Sequence, residues 1–189
     1  MNIANMLTLF RFVVTPIIGG LLLMPAGTVR FFGFILFLVA ILSDFADGFV
    51  ARLMGMKSDL GRDLDPLADK FLTAFLSVVI VAKTKSHPAM AFAVALIIVR
   101  DILVTGLRSI VGGGNIPVTL MSKTKTFFQF VTIGWGMICV IDTSPSYSTL
   151  TFMMCLSAFL SWLSAVKHIK CFIASLKKQT EGVMSCSKK

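Results

Sequence analysis

Residues 44–70 read DFADGFVARLMGMKSDLGRDLDPLADK and lie between two long apolar runs. The stretch holds six of the nine acidic residues in the chain. An uncompensated aspartate within a membrane helix costs about 2.5 to 3.5 kcal/mol on insertion scales. Carboxylates gathered at such a position therefore need partners that neutralise them.

The composition of the chain is that of an integral membrane protein. Of its 189 residues, 56% are hydrophobic and 14% are charged, and its mean hydropathy is +0.88. Soluble domains carry about 25% charged residues. Six segments approach the roughly 20 apolar residues that a spanning helix needs, namely residues 7–24, 31–54, 64–82, 89–111, 124–141 and 147–172. Since lipid cannot satisfy the backbone of an open sheet, we predict an all-α protein, a bundle of six transmembrane helices.

The lysines and arginines predict how this bundle is oriented. Much of the net charge of +9 flanks the apolar runs, so the positive-inside rule explains it without a nucleic-acid partner. With both termini in the cytoplasm, the opposite side of the membrane keeps only Arg30, Lys83 and Lys85. We therefore predict a six-helix membrane domain over residues 1–175 and a polar, basic cytoplasmic tail over residues 176–189.

Four carboxylates in the acidic stretch have a spacing that lets them converge. Asp44 and Asp47 are three residues apart, and Asp65 and Asp69 are four apart, so each pair shares one helix face. A short turn between the two helices would make them antiparallel neighbours. Four converging carboxylates match a two-metal site, in which ions about 3.5 to 4 Å apart hold the attacking and leaving oxygens on phosphorus.

The other potential metal ligands do not support a zinc site. The four cysteines form no C-x-x-C pair, and the two histidines, His87 and His168, lie far apart in the sequence. An all-oxygen ligand set suits Mg²⁺ or Mn²⁺. The sequence therefore predicts two divalent cations of this kind.

Small residues and an arginine accompany the carboxylates. Gly48 and Gly61 let a ligand approach the backbone closely. Ala51 and Arg52 offer a small surface and a guanidinium fork that suits phosphate oxygens. For either glycine alone, helix packing is an equally good explanation.

Taken together, these residues resemble the signature of the CDP-alcohol phosphatidyltransferases. All eight signature positions are matched in the pattern Asp44-x-x-Asp47-Gly48-x-x-Ala51-Arg52-x8-Gly61-x3-Asp65-x3-Asp69. The resemblance implies a six-helix fold, usually homodimeric, in a bacterial inner membrane with its active site open to the cytoplasm. It also implies that an alcohol attacks the lipid-side phosphorus of CDP-diacylglycerol and that CMP leaves.

The resemblance carries expected roles to individual residues. The metal ligands would be Asp44, Asp47, Asp65 and Asp69, with Asp69 also the catalytic base for the hydroxyl proton. Six residues would bind CDP-diacylglycerol, including two from NMLTLFR near the start of the chain: Asn5, Thr8, Gly48, Ala51, Arg52 and Gly61.

Basic residues in the second half of the chain favour an acceptor that carries phosphate. Arg100 and Arg108 are eight residues apart on the fourth predicted helix, about 80° around its axis. Lys123 and Lys125 begin the fifth predicted helix. Asp101 can partly neutralise Arg100, and either lysine alone could simply anchor a helix end at anionic headgroups.

The stretches RDILVTGLR and SKTKTFFQ resemble those family members that use sn-glycerol 3-phosphate, although Ser122 stands where a glycine is expected. The resemblance therefore implies this acceptor. Within the family, another phosphorylated polyol such as inositol phosphate is the alternative. A divalent-cation transporter is a different possibility, disfavoured because the carboxylates cluster at one membrane face and no paired halves are found.

Overall fold

The computed structural model describes the backbone of residues 3–54, 59–84, 88–110, 120–142 and 147–186, and the side chains of residues 8–43, 67–84, 88–107, 124–142, 147–166 and 169. Over this backbone the chain forms six α-helices and no strand. The helices are α1 (Ile3–Leu23), α2 (Gly27–Met54), α3 (Asp59–Thr84), α4 (Pro88–Ile110), α5 (Leu120–Ile141) and α6 (Tyr147–Cys186). The predicted all-α class is confirmed.

The apolar stretches of these helices suit a bilayer. Within the described residues, three are long and apolar enough to cross it: Pro88–Leu107, Thr124–Ile141 and Tyr147–Val166. Thr8–Leu23 and Gly27–Ser43 are shorter apolar helices. The chain is accordingly a membrane protein.

Two helices extend well beyond their predicted limits. α3 begins at Asp59 rather than at residue 64, so at most four residues connect it to α2. α6 has 40 residues, or about 60 Å at 1.5 Å per residue, which is about twice the thickness of a bilayer's hydrocarbon core. Residues 174–181, ASLKKQTE, are mainly good helix formers, which favours continuation of the helix beyond its apolar stretch. The division of the chain at residue 175 stays a prediction.

In the part of the chain that the structure describes, α1, α3 and α5 each contact at least three of the other helices. Within the described residues, α1 contacts α2 and α3 along much of its length, and α5 contacts α2, α3 and α6. α4 packs on α6 and on α3. The prediction that α2 and α3 are direct neighbours concerns their ends at residues 44–66, whose side chains lie outside the described residues, so it stays a prediction.

Small residues let the helices approach closely. At Gly19 of α1 an added Cβ would lie 2.5 Å from Cε1 of Phe75, and at Gly136 of α5 it would lie 3.0 Å from Cδ1 of Ile80. Close backbone approach through small residues is the usual way in which membrane helices associate. The register of α1 against α3 is fixed further by Phe12 and Phe71, whose ring centroids are 5.3 Å apart.

Arg30 is a buried charged residue whose hydrogen bonds go to backbone carbonyls, which suits a site where lipid offers no partners. Arg30 lies in the first turn of α2 and is 8% exposed. Its guanidinium donates to the carbonyl oxygens of Met24, Pro25 and Val140, each at 2.8 Å. Arg30 thus ties the end of α1 and the end of α5 together at one side of the membrane.

Candidate functional site

Asp69 is the one predicted metal ligand whose side chain the structure describes. It lies on α3, and its side chain is 30% exposed. Its Oδ1 accepts a hydrogen bond from Nη1 of Arg11 at 3.1 Å. Its backbone carbonyl accepts a bond from the Thr73 hydroxyl, also at 3.1 Å. The carboxylate is thus half-buried and held against a cation from α1.

The other three predicted metal ligands have helical backbones, while their side chains lie outside the described residues. Asp44 is ten residues before the end of α2 at Met54, and Asp69 is ten residues after the start of α3 at Asp59. Asp47 and Asp65 are seven and six residues from the same two ends. If helices joined by so short a connection run in opposite directions, the two pairs lie at similar depths, about 10 to 15 Å from the connection. Convergence of all four carboxylates stays a prediction.

The described part of the chain contains no group of three or more potential metal ligands among His, Cys, Asp and Glu. Most of the predicted set falls outside that part. The member that can be tested, Asp69, offers a partly exposed carboxylate, the type of oxygen donor that Mg²⁺ and Mn²⁺ prefer. The donor chemistry therefore fits a hard divalent cation.

A second charged cluster lies between α4 and α5. Oδ1 of Asp101 accepts hydrogen bonds from Nη1 of Arg100 at 2.8 Å and from Nζ of Lys125 at 2.7 Å. Arg100 is 4% exposed, Asp101 8% and Lys125 7%. With two cations on one carboxylate, the Arg100–Asp101–Lys125 cluster keeps a formal excess of one positive charge.

Several hydrogen-bond donors in this cluster and one turn away from it have no partner within the described residues. They are Nε and Nη2 of Arg100 and Nε2 of Gln129, which lies one helical turn after Lys125. An unsatisfied buried donor costs about 1 to 3 kcal/mol, and more when it is charged. The cluster is therefore suited to an anionic ligand that accepts several hydrogen bonds.

The remaining predicted site residues are described less fully. Thr8 is buried in α1, with 1% of its surface exposed. The others have helical backbones, but their side chains lie outside the described residues: Asn5, Gly48, Ala51, Arg52, Gly61, Arg108 and Lys123. Their proposed contacts with substrates stay predictions.

The sequence interpretation missed one residue of the site, Arg11. It is 4% exposed within an apolar helix and forms an ion pair with a predicted metal ligand. A signal was available, because an ionisable residue inside a membrane helix indicates function by default. The double role of Asp101, which pairs with Lys125 as well as with Arg100, was also missed.

Comparisons with known proteins agree with this picture. Residues 1–169 match the family model described as CDP-alcohol phosphatidyltransferase. The chain is similar to proteins named CDP-diacylglycerol–glycerol-3-phosphate 3-phosphatidyltransferase from several bacteria. That of Rickettsia bellii is 29% identical over 166 residues, 87% of each chain. That of Bacillus subtilis is 32% identical over 146 residues, 70% of this chain and 74% of its own. That of Escherichia coli is 31% identical over 138 residues, 71% of this chain and 75% of its own.

Proposed function

Because the chain belongs to the CDP-alcohol phosphatidyltransferase family, we propose that it transfers a phosphatidyl group from CDP-diacylglycerol to sn-glycerol 3-phosphate. The products are phosphatidylglycerophosphate and CMP. The names of the relatives from Rickettsia bellii, Bacillus subtilis and Escherichia coli support both substrates. The structural observation that carries the choice of acceptor is the buried excess of positive charge at Arg100, Asp101 and Lys125.

The acceptor's phosphate fits this cluster on chemical grounds. The unpartnered Nε and Nη2 of Arg100 form one edge of a guanidinium, which can bind two phosphate oxygens at once. Lys125 adds a compact charge, and Gln129 adds an amide donor. Arg108 and Lys123 are proposed to complete the basic surface. A choline or ethanolamine acceptor would be repelled by such a cluster.

The reacting groups are proposed to meet at the carboxylates. Asp69 takes the proton of the acceptor hydroxyl, and the hydroxyl oxygen forms a bond to the lipid-side phosphorus. The bond from that phosphorus to the CMP oxygen breaks in the same displacement. Two Mg²⁺ or Mn²⁺ ions, when bound by Asp44, Asp47, Asp65 and Asp69, would stabilise the charge on the attacking and leaving oxygens.

The nucleotide lipid is proposed to lie along the signature helices. Arg52 and the backbone beside Gly48 and Gly61 would face its phosphates, because small residues allow close approach. Ala51 and Thr8 would line the same site. A homodimer, which the family resemblance implies, stays a prediction.

The function is tested by offering purified protein CDP-diacylglycerol with a panel of alcohols and identifying the lipid product. We expect phosphatidylglycerophosphate from sn-glycerol 3-phosphate, and little product from inositol phosphate, glycerol, serine or choline. A lipid product made preferentially from inositol phosphate would favour the alternative acceptor. If no lipid forms and the protein instead moves labelled divalent ions into vesicles, the transporter is the better explanation.

We also propose that the site faces the cytoplasm of a bacterial inner membrane, on the basis of the lysine and arginine bias. In a variant whose four native cysteines are replaced, a cysteine at position 57 is expected to react only with reagents that reach the cytoplasm. A cysteine at position 85 is expected to react with an impermeant reagent added outside. The reverse pattern would overturn this orientation.

A further inference from the structure

The Arg11–Asp69 ion pair joins α1 to the helix that carries the proposed base. Arg11 is 4% exposed, and its Nη1 lies 3.1 Å from Oδ1 of Asp69. Its own carbonyl oxygen accepts a bond from the Thr15 hydroxyl at 2.6 Å. Ionisable residues within membrane helices are rare and usually pair with one another, and such a residue is a candidate for a functional role.

The packing around this pair fixes its geometry. Phe12, the residue after Arg11, packs against Phe71, two residues after Asp69. Phe71 in turn stacks on Phe75, which Gly19 of α1 contacts closely. The ion pair and the ring contacts therefore share one register between α1 and α3, and the guanidinium has little freedom to leave the carboxylate.

We propose that Arg11 is a positioning residue, which holds the Asp69 carboxylate in the orientation used for the reaction. Oδ1 of Asp69 accepts the bond from Arg11, and a carboxylate can accept several hydrogen bonds at the same time. The positive charge of Arg11 also offsets part of the charge of the acidic stretch. This inference rests on the proposed function, because it assigns Arg11 a role through the proposed base.

The test is a double-mutant cycle between Arg11→Ala and Asp69→Asn, with turnover measured from labelled substrate. We expect Arg11→Ala to lower kcat about 10- to 100-fold, as is typical of residues that orient ligands. The KM for sn-glycerol 3-phosphate should change less than about threefold, because its binding free energy comes from other residues. In the Asp69→Asn protein, adding Arg11→Ala should lower kcat by less than about threefold, since the group through which it acts is already lost.

Arg11→Lys keeps the charge but not the planar fork, so it should recover part of the lost kcat. Arg30→Ala is the matched control, since Arg30 is also a buried arginine but bonds only to backbone carbonyls within the described structure. It should lower the thermal midpoint, leave the kcat of the folded protein within about twofold and combine additively with Asp69→Asn.

The same cycle is measured by thermal unfolding without added divalent cation. Because Arg11 and Asp69 pair directly, the double variant should lose less in thermal midpoint than the sum of the losses in the two single variants. The inference would be overturned if the losses in midpoint of the two single variants added up in the double variant, or if their fold losses of kcat multiplied. The proposed function would remain intact in either case. If the unmodified protein forms no phosphatidylglycerophosphate, the proposed function fails, and this inference fails with it.

Discussion

Asp65→Asn is expected to reduce turnover by about 10³-fold or more, beyond the 10- to 100-fold that follows loss of a residue that only orients a metal ligand. Asparagine keeps the size of the side chain and one oxygen but removes the negative charge. A neutral amide is a poor replacement for a carboxylate on a hard divalent cation. Asp44→Asn should behave in the same way, and excess chelator should abolish the activity of the unmodified protein.

Asp142, which follows the last residue of α5, provides a matched control. Asp142 lies just past Ile141 and has no proposed role in the site, so Asp142→Asn should keep activity within about twofold. The activity of both variants is measured as initial rates at increasing concentrations of Mg²⁺ or Mn²⁺. Full turnover in excess chelator, or more than a tenth of normal activity in Asp65→Asn, would contradict the proposed two-metal site.

The acceptor cluster gives the second large effect. Lys125→Ala should raise the KM for sn-glycerol 3-phosphate on the order of 30- to 150-fold, corresponding to the roughly 2 to 3 kcal/mol of a hydrogen bond to a charged group. Removal of Lys125 leaves Arg100 and Asp101 as a neutral pair, so the cluster loses its excess charge. The chemistry at Asp69 should survive, and kcat should change little.

The specificity of this effect is checked with both substrates. The KM for CDP-diacylglycerol should stay within about threefold, because its phosphates are assigned to other residues. Lys83→Ala is the control: its Nζ donates to the Leu23 carbonyl oxygen at 3.0 Å, away from the cluster, and neither KM should change. A variant at Lys125 that weakened the nucleotide lipid and spared sn-glycerol 3-phosphate would show that the acceptor site is misplaced.

The sequence by itself determined the class of fold and the family to which the chain belongs. Apolar runs of sufficient length specify helices in a bilayer, since the backbone must satisfy its hydrogen bonds within each segment. Spacings of three and four residues place Asp44 with Asp47 and Asp65 with Asp69 on shared faces, because helix periodicity is local. The sequence also indicated that Arg100 and Lys125 belong to a basic group that suits a phosphate, but it did not indicate how they would be paired.

Only the tertiary structure decided which distant groups meet. Arg11 pairs with Asp69 across 58 residues, Lys125 with Asp101 across 24, and Arg30 with the Val140 carbonyl across 110. Each contact depends on the rotation and register of two helices. These are set by interlocking surfaces such as Gly19 against Phe75, where a single added carbon would lie 2.5 Å from the ring. Such fits depend on the shapes of both helices at once, and spacing along one helix cannot specify them.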